Sequence, residues 1–142
     1  MDVAPVKPIA SRTIVIVDDE PSVRVSLEYV LSSAGYSTLV AESGAAAVTA
    51  MDGNAIDAAL IDVHMPVMSG FDTCLRLKAK AAERGRNLAV WLMTGACSAR
   101  VQTRAAAIGA MAVFVKPFDY PAFFATLEAG LSATRSASAP AA

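Results

Sequence analysis

Five short apolar runs rich in β-branched residues punctuate the chain, at Thr13 to Val17, Tyr36 to Ala41, Ala58 to Val63, Leu88 to Met93 and Ala112 to Val115. Amphipathic or alanine-rich stretches with helical period separate them. Strands that alternate with helices in this way build a parallel sheet joined by right-handed crossovers. Thr13 to Val17 is an almost unbroken series of Ile and Val, the composition of a strand covered on both faces, so it belongs in the middle of the sheet.

The helical stretches carry their own start and stop signals. Pro21 suits a first helical turn, where its missing N–H costs nothing, and Val23, Leu27, Val30, Leu31 and Ala34 then repeat at helical spacing before Gly35. Ser43 is placed to cap a second helix that runs to about Met51. The third covers Phe71 to about Glu83, with Phe71, Leu75 and Leu77 assigned to the core. The fourth runs from Ala99 to Ile108, and the fifth starts near Tyr120-Pro121 and offers Phe123, Phe124, Leu127 and Leu131 to the interior. The expected architecture is α/β: a doubly wound, five-stranded parallel sheet with five helices.

Length and charge narrow the class. A chain of 142 residues suits one compact domain. Hydrophobic residues make up 55% of it, many of them alanine, yet no apolar run approaches the roughly 18 residues a membrane span needs. Residues 1–11 contain Asp2, Pro5 and Pro8 and no apolar signal core, so they are expected to form a flexible arm before a domain over 12–132. The small, polar segment 133–142 is expected to be a disordered tail, too short for a DNA-binding output domain. Twelve Lys and Arg against 13 Asp and Glu give no reason to expect a nucleic-acid partner. Cys74 and Cys97 lack CxxC spacing, which favours reduced thiols and a cytoplasmic location.

The polar residues that follow the apolar runs matter most. Asp18-Asp19, Asp62, Thr94 and Lys116 each stand at the C-terminal end of a different strand, and in an open parallel sheet those ends share one edge, where ligands bind. Taken singly, Asp18-Asp19 is an ordinary capping turn and Lys116 a solvated residue before proline. Taken together they make a pocket. Three carboxylates in one cleft repel unless a cation offsets them, and an all-oxygen set of this kind selects Mg²⁺, which commonly completes its shell with phosphate oxygens. The chemistry implied is phosphoryl transfer, with Asp62 the candidate nucleophile and Thr94 and Lys116 placed to meet phosphoryl oxygens.

The segments IVIVDDEPSVR, ALIDVHMPVMSG, WLMTG and VFVKPF resemble the receiver domain of two-component response regulators, over about residues 12 to 132. The resemblance implies a flavodoxin-like strand order 2-1-3-4-5, Asp62 as phosphoacceptor, and Mg²⁺ held by Asp18, Asp19, Asp62 and the backbone carbonyl of His64. It further implies Thr94 and Lys116 on the phosphoryl oxygens and a cis bond before Pro117. The phosphodonor is then a histidine kinase or histidine phosphotransfer protein, and the output is a protein contact or a homodimer through the helix 4, strand 5, helix 5 face. His64 is expected to tune phosphoryl lifetime rather than transfer the group. The family's switch uses an aromatic three positions before the lysine; here that residue is Val113, with Phe114 next to it. The response is therefore expected to come from backbone movement after Thr94, where Gly95 and Ala96 leave the loop free. Two rivals remain: an aspartate-nucleophile phosphatase of the haloacid dehalogenase type, and an interaction module that is never phosphorylated. The first normally has a second Asp where this chain has His64.

Overall fold

The computed structural model describes residues 11–137. In chain order the elements are β1 (Thr13–Val17), α1 (Pro21–Ser33), β2 (Ser37–Ala41), α2 (Gly44–Ala50), β3 (Ala58–Asp62), α3 (Gly70–Glu83), β4 (Ala89–Thr94), α4 (Ala99–Ala107), β5 (Val113–Val115) and α5 (Tyr120–Ala137). All five strands are parallel, in the order β2-β1-β3-β4-β5. This is the expected flavodoxin-like sheet.

Side-chain alternation divides the strands between two cores. Val15, Val17, Ala59, Ile61, Val90 and Leu92 face α2, α3 and α4, while Ile14, Ile16, Leu60, Trp91 and Met93 face α1 and α5. Covering both faces explains why β1, β3 and β4 are nearly continuous apolar runs. Ser43 caps α2 by accepting the Ala46 N–H, and Ser69 and Ser98 cap α3 and α4 in the same manner.

Two expectations need correction. Leu75 is 48% exposed, because α3 begins at Gly70 and its inner stripe runs through Phe71, Cys74, Leu77 and Ala81, leaving Leu75 turned toward solvent. Residues 133–137, assigned to a disordered tail, continue α5 as helix; 138–142 and all of the arm but Ser11 lie outside the described residues. Alanine at 133 and 137 is compatible with helix, and Leu131 is fully buried just before, so the anchored helix extends past the last core contact.

The β3–α3 connection contains a backbone oddity. Val67 has φ 70° and its side chain is fully exposed. A β-branched residue in the left-handed region carries a steric cost that no packing offsets here. Val67→Gly or Val67→Asn is therefore expected to raise the unfolding free energy by about 1 kcal/mol, read by urea denaturation. An equal or lower stability for both variants would show that Val67 is unstrained.

Candidate functional site

Parallel pairing sets Val17 beside Ile61 and Asp62 beside Met93, so the chain leaves β1 and β3 at the same level of the sheet. Asp18 and Asp62 emerge there as neighbours, both buried. One oxygen each from Asp18, Asp19 and Asp62 lie within 4.8 Å of one another. Lys116, just past the end of β5, reaches into this group: its Nζ donates to Asp18 Oδ2 at 2.7 Å and Asp62 Oδ1 at 3.2 Å, and lies 3.8 Å from Glu20 Oε1. The Lys116-Pro117 bond is cis, as the resemblance implied.

Local structure holds the acids in place. Asp18 Oδ1 accepts the Glu20 N–H at 2.9 Å, its N–H donates to Ala41 O at 3.1 Å, and its carbonyl accepts from Arg24 Nη1 at 2.8 Å. On the other side of the cleft, Gly70 packs against the chain at Asp62: a Cβ there would stand 2.2 Å from the Asp62 carbonyl oxygen. Only glycine permits that approach, and the Gly70 N–H uses it to reach Val63 O at 2.9 Å.

Burial and the Asp18 charge push the Asp62 carboxyl up to about 6, against the opposing pull of Lys116. Burial alone lowers Lys116, yet its hydrogen bond to Asp18 and the charges of Asp62 and Asp18 outweigh that and hold it above its ordinary value. Three clustered carboxylates against one ammonium leave a deficit of two positive charges when all are ionised. The acidic pocket thus fits a divalent ion such as Mg²⁺ in both ligand type and charge.

Thr94 ends β4 and is fully buried, but its hydroxyl is engaged with its own loop, donating to Ala96 O and accepting from Ala96 N, both at 3.2 Å. The structure therefore gathers Asp18, Asp19, Asp62 and Lys116, and keeps the Thr94 hydroxyl turned to the next turn of chain. His64 is exposed in the loop after β3. A cleft of about 510 Å³ opens beside Lys116, walled by Glu20, Val23, Leu27, Gly95 and Phe118.

Phe114 does not stand in for the missing aromatic. It packs on the α1 and α5 side, 4.5 Å between ring centroids from Phe123, while Val113 packs toward the core under α4. Neighbouring residues on a strand point to opposite faces, so Phe114 cannot reach the space behind Thr94. Gly70 is legible from the sequence as the residue that allows a tight entry into α3, whereas sequence reasoning missed Glu20 and Arg24; the one signal for Arg24 was a cation in a first helical turn, where the helix dipole disfavours it.

Residues 14–128 match the family model of the response regulator receiver domain. The chain belongs to that family. Among curated relatives, the transcriptional regulatory protein FixJ of Azorhizobium caulinodans is 36% identical over 118 residues, which are 82% of this chain and 53% of FixJ. The chain spans about half the length of the curated relatives it matches. Among solved structures, chemotaxis protein CheY4 of Vibrio cholerae superposes with a TM-score of 0.77 at 27% identity, over 84% of this chain and 98% of CheY4. Response regulator TrrA of Thermotoga maritima, solved in complex with Mg²⁺-BeF, gives a TM-score of 0.72 at 25% identity, over 84% of this chain and 98% of TrrA. Receiver domains are signalling modules of two-component systems, and among the described residues no helix is long and apolar enough to cross a membrane.

The raised Asp62 value has a consequence for stability of the receiver domain without metal. A carboxyl whose folded pKa lies above its unfolded value stabilises the fold fully below the unfolded value, about 3.8, and loses that contribution as pH rises through about 6. In EDTA, Asp62→Asn is expected to be more stable than the parent at about pH 8, by roughly 1–3 kcal/mol in urea unfolding, with the gap closing toward about pH 4. A gap independent of pH would mean that Asp62 is not destabilised by its charge.

Proposed function

We propose that this receiver domain takes a phosphoryl group from a phosphohistidine onto Asp62, in a Mg²⁺-dependent reaction, and signals in the cytoplasm by protein contact. The observation that carries this reading is Lys116 bonded to both Asp18 and Asp62 within the acid cluster. An Asp62 oxygen attacks phosphorus, the bond to the donor imidazole nitrogen breaks, and the electron pair leaves with the imidazole of a histidine kinase or histidine phosphotransfer protein. Asp18, Asp19, Asp62 and the backbone carbonyl of His64 would hold Mg²⁺, which would supply charge neutralisation on the phosphoryl oxygens. Lys116, already 3.2 Å from Asp62 Oδ1, exchanges that contact for a phosphoryl oxygen. His64, exposed beside the acceptor, acts on the lifetime of the product.

The Thr94 hydroxyl gives up Ala96 O for another phosphoryl oxygen, which releases the turn at Gly95 and Ala96. The response then travels through the 95–98 loop into α4, because Phe114 faces the other side of the sheet. The changed face of α4, β5 and α5 meets the downstream protein or a second copy of the domain. The near balance of 12 basic and 13 acidic side chains supports protein rather than nucleic acid as its partner.

Incubation with acetyl phosphate and Mg²⁺, followed by intact-mass measurement, is expected to add one phosphoryl group to the parent and none to Asp62→Asn or in EDTA. Lys116→Ala should slow the labelling by at least about tenfold. Labelling of Asp62→Asn, or an unmodified parent, would overturn the assignment, and catalytic release of phosphate from small phosphomonoesters would point to a phosphatase instead.

With Mg²⁺ and beryllofluoride, hydrogen exchange is expected to change most over residues 95–107 and little over Phe114 to Phe118. Unchanged exchange over 95–107 would refute the loop as the responding element.

A further inference from the structure

Arg24 makes a contact that helix chemistry does not explain. It sits in the first turn of α1, where backbone N–H groups point outward and a positive charge is disfavoured. Glu20, at the N-cap, provides no side-chain hydrogen bond to that end. Arg24 instead turns back along the chain, and its Nη1 donates to the carbonyl of Asp18 at 2.8 Å.

That carbonyl belongs to a particular peptide. Oxygen of Asp18 and N–H of Asp19 lie in one rigid plane, so holding the oxygen fixes the direction in which the chain enters Asp19. Asp18 itself is bound at its other polar groups: the N–H by Ala41, one carboxylate oxygen by the Glu20 N–H and the other by Lys116. Asp19 is exposed, and its carboxylate makes no hydrogen bond or ion pair among the described residues. The turn that the Glu20 N–H closes on Asp18 Oδ1 spans Asp19, and the peptide that Arg24 grips sets the direction in which the chain enters that turn.

We infer that Arg24 is a positioning residue for the cation site: it clamps the Asp18-Asp19 peptide so that both carboxylates face one ion together with Asp62. The inference rests on the reading of the cluster as a Mg²⁺ site. Two roles for Arg24 predict opposite signs. As a nearby positive charge alone, it repels a divalent ion, and its removal would tighten binding. As a clamp, its removal frees the Asp18-Asp19 peptide and weakens binding, by about the tenfold or more typical of groups that orient metal ligands.

Mg²⁺ titration calorimetry on the full chain separates the two. The expected result is a dissociation constant at least about tenfold higher for Arg24→Ala than for the parent. Arg24→Lys should regain part of the loss, since an ammonium still donates to the carbonyl. Arg76→Ala, an exposed cation on α3, is the charge-matched control and should bind as the parent does. In acetyl phosphate labelling, the Arg24→Ala defect should lie in the Mg²⁺ concentration needed, with the rate recovering as the ion saturates. Unchanged or tighter Mg²⁺ binding by a folded Arg24→Ala overturns the clamp, and if that variant does not fold, unchanged or tighter binding by Arg24→Met, which keeps the apolar stem but has no donor, overturns it. A parent chain that binds no Mg²⁺ overturns the site reading itself, and the clamp with it.

Discussion

One ammonium group holds the acidic edge of the sheet. Lys116 bonds Asp18 and Asp62, which lie 98 and 54 residues away along the chain, and so ties the ends of β1, β3 and β5 at a single point. The two carboxylates are nearly inaccessible to water, and without a cation their repulsion would force one of them to take up a proton or the strands to part. One lysine is not enough for three acids. Burial and the Asp18 charge raise Asp62 against the pull of Lys116, and a divalent cation bound there would relieve that cost.

The surrounding chain is shaped to keep that arrangement. Gly70 lets the start of α3 press against the Asp62 backbone, and the loop between them passes through the left-handed Val67. Arg24 closes the opposite side by holding the Asp18 carbonyl. These contacts come from loops and helix starts, not from the sheet, because strand ladders end where the site begins and the released carbonyls and N–H groups must find other partners.

The two faces of the sheet are held unequally. The α1 and α5 side contains a linked set of rings, Phe114, Phe118 and Phe123, with centroids 4.5 to 6.3 Å apart. On the other side, α4 buries only Val101 and Ala105, and Arg104 lies over the Phe71 ring at 4.5 Å. With Val113 rather than an aromatic beneath it, α4 has a thinner support than α5. On the proposed reading, a displacement at Thr94 passes toward α4, the more thinly supported helix.

The strands, their burial and the placement of the reactive residues were legible in the amino-acid sequence because each depends on a local pattern. Runs such as Ile14 to Val17 and Ala58 to Ile61 are apolar on both faces only if both faces are covered, and that requirement orders the sheet and brings Asp18, Asp19, Asp62, Thr94 and Lys116 to one edge. Leu75 and the end of α5 were not legible, since two helical stripes of similar composition compete for the core and small residues are equally at home in helix and tail. Only the tertiary structure decided that the Thr94 hydroxyl turns to Ala96, that Lys116 bridges two particular oxygens, and that Arg24 reaches the Asp18 carbonyl. Periodicity records which side of an element faces inward; which polar atoms then meet depends on register and on the path of the loops, and residues far apart in the chain carry no local mark of that meeting.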